Sequence, residues 1–498
     1  MSHKIVSNLS SLLRKCVHSS LISQAKQAHA QVLVNNYVLD VTIQTDVLLA
    51  YTKCGFLEVA RNLFDGMRER GMHSWNILIA SYVQNSLYLD AVRVFDEFLK
   101  MGLRPDHFTM PPLLKASAGI KDRRLGWMLH GFVVSFGFER YVVVGTSVME
   151  FYLKCGEFDD AKRLFVNMVY KDSGAWNLII SGFGRAGLFL EALDLFRDML
   201  KEDRLKVDAM TVSGVLNACG GEGDLMKGRE IHGKVVKSTF FACDIATYNS
   251  LIDMYAKCGC LHNSEKVFRN MHDVNVVTWT TMISCYGIHG KGNEALALFQ
   301  RMKDFGFSPN PVTLTAVLAS CSHSGLINPG REIFCSMLTD YGFQPCSEHY
   351  ACMTDLLGRS GHLEEALRLA QRIDLTTTAS VWGALLAGCV MHKNVRIGEI
   401  AAHHLFELEP TKSSNYIALC SIYESCGMWD GMSVTMKKMK QLGLVKAPGC
   451  SWITIEGIVF KFFQGDHSDP MTKVVCKTLD GMMRAPLLPH DCHYLYQV

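Results

Sequence analysis

The feature that most constrains this chain is that it copies itself. Trp75, Trp176 and Trp279 open the segments WNILIASY, WNLIISGF and WTTMISCY, at intervals of 101 and 103 residues. The Lys-Cys-Gly triplets at 53–55, 154–156 and 257–259 return at the same intervals. A fixed period of this kind marks units that cannot bury their apolar faces alone and do so by stacking. At 498 residues the chain also exceeds the roughly 250–300 at which a single core stops growing, so an extended array accommodates it better than one globule.

A smaller unit lies inside the large one. Trp279, Met282, Ile283 and Tyr286 sit at i, i+3, i+4, i+7, and Ala295, Leu298, Phe299 and Met302 repeat that spacing 16 residues later. Two amphipathic helices follow from it. Such pairs of stripes open at Leu9, Gln44, Trp75, Met110, Gly145, Trp176, Val212, Tyr248, Trp279, Leu314, Tyr350, Trp382 and Tyr416, which makes thirteen helical hairpins with spacings between 31 and 36 residues. Gly-containing turns such as Lys257-Cys258-Gly259 separate the helices of a hairpin. Stops such as Arg104-Pro105-Asp106 and Ser308-Pro309-Asn310 separate one hairpin from the next. The expected fold is all-α, a right-handed α-solenoid of stacked helix-turn-helix repeats.

Composition narrows the function classes. The formal net charge is +2, so no global basic field draws the chain to nucleic acid, and any such binding must rest on local residues. The 18 cysteines include no C-x-x-C and lack the dense spacing of a disulfide scaffold, which fits a reducing compartment. No apolar run approaches a membrane span, and no membrane partner is expected. Residues 1–39 carry Lys4, Arg14, Lys15 and Lys26, are rich in Ser and contain no Asp or Glu, which suits an organellar address and equally suits a partial first repeat.

Candidate chemistry dissolves on inspection. His362-Leu363-Glu364 spells H-x-E, but it opens a helical stripe and no C-x-x-C follows. Cys54, Cys155 and Cys258 occupy one turn position in successive copies, too far apart along a stack to share a metal. His29, His130 and His232 recur at one position of second helices, which reads as framework. Gly220-Gly221-Glu222-Gly223 has no following Lys-Ser/Thr to hold a phosphate. The Trp and Phe stripes have core spacing and are not read as base-stacking platforms. No cofactor and no metal are expected.

The polar residues that interrupt the stripes are more informative. Thr45, Asn76, Thr146, Asn177, Asn249 and Thr280 each follow the opening residue of a hairpin, where the side chain is expected to project beside the spine rather than into it. Hairpins close on Asp106, Asp172, Asp208, Asn275 or Asn310, which stacking would bring near those residues. Helix capping favours Asp and Asn at the closing position. It does not account for the alternation of Asn and Thr behind the opening residue.

Hairpins near 35, 35 and 31 residues, with WN openings, KCG turns and RPD ends, resemble the pentatricopeptide repeat family of plants, and more narrowly its subclass of P, long and short motifs. The resemblance covers about residues 5–470. It implies residues 1–40 as a partial long repeat and possible transit signal, 41–378 as the repeat array, which with that partial repeat makes about eleven hairpins, 379–449 as two E motifs, and 450–498 as a short extension containing Gly465-Asp466-His467-Ser468-Asp469-Pro470. Some members continue into a cytidine deaminase domain that needs H-x-E and C-x-x-C. Neither follows Pro470 here, and the chain is expected not to be an enzyme.

The resemblance implies that the two polar positions act as pairs, each reading one base of a single-stranded organellar RNA. The pairs are Asn76/Asp106, Thr146/Asp172, Asn177/Asp208, Asn249/Asn275 and Thr280/Asn310; in the family they favour U, G, U, a pyrimidine and A. With the array's N-terminus toward the RNA 5′ end the reading is 5′-U-x-G-U-x-Y-A-3′. If the final short repeat opposes the fourth nucleotide before an edited C, five nucleotides separate that A from the C. His73 and Gly174 stand where the family usually sandwiches the base with an aliphatic residue, so those repeats are expected to bind weakly. The expected role is site recognition for C-to-U editing in the mitochondrion, or alternatively the chloroplast, with a deaminase-bearing partner recruited through the E region. Two alternatives are an RNA stability, splicing or translation factor and a protein-binding scaffold.

Overall fold

The computed structural model describes residues 9–13, 15, 22–34, 40–202, 207–238, 244–372, 379–445, 450–455 and 458–463. Contacts divide the chain into two units, Met1–Cys258 and Gly259–Val498. In the N-terminal unit the helix Ile22–Val34 is followed by the pairs Val41–Lys53 with Leu57–Gly66, Met72–Gln84 with Tyr88–Lys100, Met110–Ile120 with Arg123–Ser135, Val142–Cys155 with Phe158–Asn167, Ser173–Arg185 with Phe189–Met199, and Ala209–Glu222 with Leu225–Lys237, ending in Ile245–Lys257. The C-terminal unit starts with Leu261–Asn270. Its pairs are Val276–Ile288 with Gly292–Asp304, Pro311–Ser324 with Ile327–Thr339, Ser347–Arg359 with Leu363–Ala370, Ala379–His392 with Val395–Leu408, and Ser413–Ser425 with Trp429–Gln441. Within each unit, first helices of successive hairpins lie against one another and second helices cover them. Each unit is thus a two-layered α-solenoid.

Local chemistry builds the hairpins as expected from the stripes. Trp75, Trp176 and Trp279 are buried and pack edge-on against Phe64, Phe165 and Phe268 of the preceding second helix, with ring centroids 4.6, 4.7 and 5.4 Å apart. Stripes and helices differ at their starts: the first helix of most hairpins begins a turn before its stripe, for example at Ser173 rather than Trp176, because Asp172 caps it. The chain turns over within a hairpin on a left-handed residue; Gly156 and Gly325 fill it with φ of 79° and 66°.

A packing rule that the stripes did not reveal sets the distance between hairpins. The fourth residue of the second helix is small in every hairpin but the last, where Met432 stands: Ala60, Ala91, Ala161, Ala192, Ala295 and Ala366 are fully buried, as is Ser264. At 126, 228, 330 and 398 it is Gly. A Cβ on Gly126 would meet the Phe151 ring at 2.0 Å, one on Gly228 would meet Met254 Sδ at 2.4 Å, and one on Gly330 would meet Leu356 Cδ2 at 2.4 Å. The absent side chain is the socket for a large residue of the next hairpin.

The recurrent histidines are framework, as read from the sequence. His29, His130 and His232 bond through Nδ1 to the hydroxyls of Tyr51, Tyr152 and Tyr255 at 3.2, 2.7 and 2.9 Å, tying each second helix to the following first helix.

The repeat array is all-α as expected, and a pair of strands follows it. Strands Cys450–Ile455 and Ile458–Phe463 pair antiparallel, with Ile455 opposite Ile458 and Cys450 opposite Phe463. The segment CSWITI…IVFKFF is dense in β-branched and aromatic residues and lacks a helical stripe, so it lies at the strand end of the propensity scale. The transit-type reading of residues 1–39 falls largely outside the described residues.

Candidate nucleic-acid interface

Capping and pairing prove to be one arrangement. Asp208 caps the helix Ala209–Glu222, its Oδ1 accepting from the Thr211 backbone N–H at 2.8 Å. Its two carboxylate oxygens also accept from Asn177 Nδ2, at 3.1 and 2.9 Å. Thr211 closes the ring by donating its hydroxyl to Asn177 Oδ1 at 2.5 Å. The same triangle forms one large repeat earlier. Asn76 Nδ2 donates to Asp106 Oδ1 and Oδ2 at 3.0 and 3.2 Å, and the Thr109 hydroxyl donates to Asn76 Oδ1 at 2.8 Å. In the C-terminal unit Thr280 reaches Asn310 through an intermediary: its hydroxyl lies 2.7 Å from that of Thr313, which bonds Asn310 Oδ1 at 3.0 Å.

The remaining expected residues divide. Thr146 turns its hydroxyl back onto the Val142 and Val143 carbonyls, both at 3.0 Å, and Asp172 is occupied in capping Ala175 N–H at 2.8 Å; no hydrogen bond joins them. Thr45 bonds the Ser74 hydroxyl at 2.9 Å, and the capping position before Ser74 is Gly71, which has no side chain to complete a pair. Asn249 lies in the N-terminal unit, buried, with Oδ1 lacking a hydrogen-bond partner. Asn275 lies in the C-terminal unit and caps Val276–Ile288 with a reciprocal bond to Thr278.

One expectation is overturned. The residues behind the opening position were expected beside the spine, yet Thr45, Asn177, Asn249 and Thr280 are 7–9% exposed. Stacking of first helix on first helix covers them. What remains open to solvent is the closing residue: Asp172 and Asn275 are exposed, and Asp106, Asp208 and Asn310 are partly so.

Electrostatics favours a charged cap. Burial alone would raise the carboxyl pKa of Asp106 and Asp208. Hydrogen bonds from the Thr109 and Thr211 hydroxyls and backbones and from the Asn76 and Asn177 amides outweigh it and hold both acids below their ordinary value. At neutral pH each of these two sites carries a negative charge beside an amide.

Two features escaped the sequence reading. The hydroxyl partners Thr109, Thr211 and Thr313 are fully or almost fully buried, and their signal is a spacing, Asp or Asn followed three residues later by Thr, that is legible as a capping box. The other is the exposure of apolar side chains two residues before the opening residue: Phe108, Val143 and Met210 in the N-terminal unit and Val277 and Val312 in the C-terminal unit are 55–72% exposed. Within each unit, large exposed apolar groups near hydrogen-bonding pairs offer places on which flat, polar-edged molecules can lie. His73 and Gly174 take this place in two hairpins, and both are exposed.

Glu364 is paired with Arg396, and His362 precedes the helix Leu363–Ala370. Cys155 is buried, and Cys258 contacts the Cys219 carbonyl and Met254 Sδ.

Comparison with known proteins agrees with this geometry. Models described as PPR repeat match residues 45–72, 73–103, 146–173, 174–203 and 246–276; one described as PPR repeat family matches 274–323, and an E motif matches 392–454. The pentatricopeptide repeat-containing protein CRR2, chloroplastic, from Arabidopsis thaliana is 32% identical over 98% of this chain and 75% of its own length. A mitochondrial pentatricopeptide repeat-containing protein from the same plant is 36% identical over 95% of this chain and 73% of its own. Against several other curated relatives the chain spans about half their length, 46–55%. The crystal structure of maize PPR10 superposes with a TM-score of 0.53 at 17% identity, covering 88% of this chain and 68% of that one, so the folds correspond. The E-motif model starts at His392, within the pair of hairpins that close the C-terminal unit's helical stack. On the match of its repeats and on relatives covered over most of their length, the chain belongs to the pentatricopeptide repeat family.

Proposed function

We propose that the chain binds single-stranded RNA in a sequence-specific manner, one base to each hairpin-to-hairpin junction. The observation that carries this reading is the recurrence of the Asn–Asp–Thr triangle at 76/106/109 and 177/208/211 beside exposed apolar side chains, where capping alone requires no amide. A base edge can bond the polar pair while the apolar row covers its faces. The fold relative PPR10 has been crystallised with an 18-nt psaJ RNA element, which supports the same class of ligand here.

The finer proposal is site recognition for C-to-U editing of an organellar transcript, with a deaminase supplied by a partner through the E-motif region. Relatives carry both chloroplastic and mitochondrial designations; we propose the mitochondrion as the site of action, with the chloroplast as the alternative. The pairs propose the target order 5′-U-x-G-U-x-Y-A-3′, with five nucleotides between the A and the edited C.

The decisive experiment is a swap. Thr280→Asn with Asn310→Asp recreates the Asn177/Asp208 triangle, because Thr313 already stands where Thr211 stands. Preference at that one nucleotide is expected to move from A to U, with a change of about tenfold, the value of a good base contact. Retention of A, or a change at every position together, overturns base reading. Loss of the protein in plants that alters transcript ends or splicing but leaves editing intact would move the role to RNA processing, and affinity for a protein with none for RNA would make the array a scaffold.

A further inference from the structure

We propose that the hydroxyl residue three positions after the closing cap, Thr109, Thr211 and Thr313, is a third specificity-determining residue, a positioning residue that fixes the hydrogen-bond polarity of the side chain reading the base. The proposal rests on the RNA-reading assignment above and adds a residue to each pair.

The argument is one of proton counting. Asn177 can face its neighbours in two ways, and only one satisfies both. With Nδ2 on the Asp208 carboxylate at 2.9 and 3.1 Å and Oδ1 on the Thr211 hydroxyl at 2.5 Å, whose one proton is shared with Asp208 Oδ1 at 2.9 Å, every acceptor faces a donor. Turned over, the amide would set its oxygen against a carboxylate held in the charged form. The amide is therefore locked, and since it has two N–H bonds and the carboxylate engages one, it keeps an N–H to offer. Asn76 is locked in the same sense by Thr109 and Asp106. These sites present a donor.

Thr280 comes out with the opposite sign. Asn310 Oδ1 accepts the Thr313 backbone N–H at 2.9 Å, which identifies that atom as the amide oxygen. It carries no proton, so the Thr313 hydroxyl donates to it at 3.0 Å, and the Asn310 backbone N–H donates back to that hydroxyl at 3.4 Å. Thr313 has then spent its single proton. With that proton placed on Asn310, Thr280 is the donor across the 2.7 Å contact, and its oxygen keeps lone pairs to offer. This site presents an acceptor. A base with an amino or imino group on its edge suits Thr280; a base with a carbonyl suits Asn76 and Asn177.

The fold contains its own control. Where the third position is Ala175, the pair Thr146/Asp172 is uncoupled and the Thr146 hydroxyl returns to its own helix.

The test uses the full chain and a randomised pool of single-stranded RNA, with bound sequences read position by position. Thr211→Val keeps the shape and the cap to the backbone N–H but removes the hydroxyl. Base preference at the Asn177/Asp208 nucleotide is expected to fall about tenfold, the worth of one hydrogen bond, with preference at the Asn76/Asp106 and Thr280/Asn310 nucleotides unchanged. Thr211→Ser restores it. Ala175→Thr, which alters neither member of its pair, sharpens preference at the Thr146/Asp172 nucleotide. If Asn177→Ala erases the preference while Thr211→Val leaves it intact, this inference fails and base reading stands. If Asn177→Ala also leaves it intact, both fail. A loss spread equally over all nucleotides makes Thr211 merely structural and overturns the proposal. Should Thr211→Val not fold, the Ala175→Thr arm decides, and no sharpening there overturns it.

Discussion

At the scale of single residues the polar positions serve folding, and the recognition proposed for them separates from it by magnitude. Thr280 is 9% exposed, more buried than a position read as lying beside the spine. Thr280→Ala removes one buried hydrogen bond but leaves Thr313 bonded to Asn310, so it is expected to cost about 1 kcal/mol. Leu298→Ala or Phe299→Ala empties a buried site and is expected to cost about 2–5 kcal/mol. Chemical denaturation of the three variants separates these values; equal losses would place Thr280 in the apolar core and remove it from the reading surface. The identities of the pair residues were legible in the sequence because they break a stripe. Their mutual hydrogen bonds were not, because Asn76 and Asp106 meet only once two hairpins stack.

At the scale of elements, small residues in second helices set how close hairpins come. The glycine at 126 exists for Phe151, whose ring a Cβ would meet at 2.0 Å. Gly126→Ala gains helix propensity worth just under about 1 kcal/mol and loses more to overpacking, about 1–3 kcal/mol. A lower melting temperature is expected, and Gly126→Ala combined with Phe151→Leu should recover most of it. A higher melting temperature for the single variant would mean that the socket can relax. The sequence showed both helices clearly through their spacing, but a lone Gly inside a helix reads only as a weak point. Its purpose is a contact with another hairpin. The strands Cys450–Ile455 and Ile458–Phe463 were not legible for a related reason: a resemblance that extends over helical repeats carries no information about a segment with a different period.

At the scale of the molecule, His29, His130 and His232 give the N-terminal unit a dependence on pH. Burial lowers the pKa of all three below 6.5, although Glu139 and Asp160 partly offset it for His130. A histidine whose folded-state pKa is depressed takes up protons more readily when unfolded, so its contribution to stability is present above pH 6.5 and is lost as pH falls through and below that value. Thermal unfolding is expected to shift downward between about pH 7.5 and 5.5. The variant with all three changed to Gln should lose most of that slope, and an unchanged slope would place its origin elsewhere.

The sequence alone determined the repeat, its period, the helical faces and the residue types available at each junction, because these depend on local spacing along one helix. Tertiary structure decided everything that needs two hairpins at once. It buried Thr45, Asn177, Asn249 and Thr280, joined Asn76 to Asp106 and Asn177 to Asp208, left Thr146 and Asp172 apart, and drew Thr109, Thr211 and Thr313 to the junctions. Residues some 30 apart in the chain become neighbours only when apolar faces stack, and hydrogen-bond polarity is set by that meeting rather than by either residue alone.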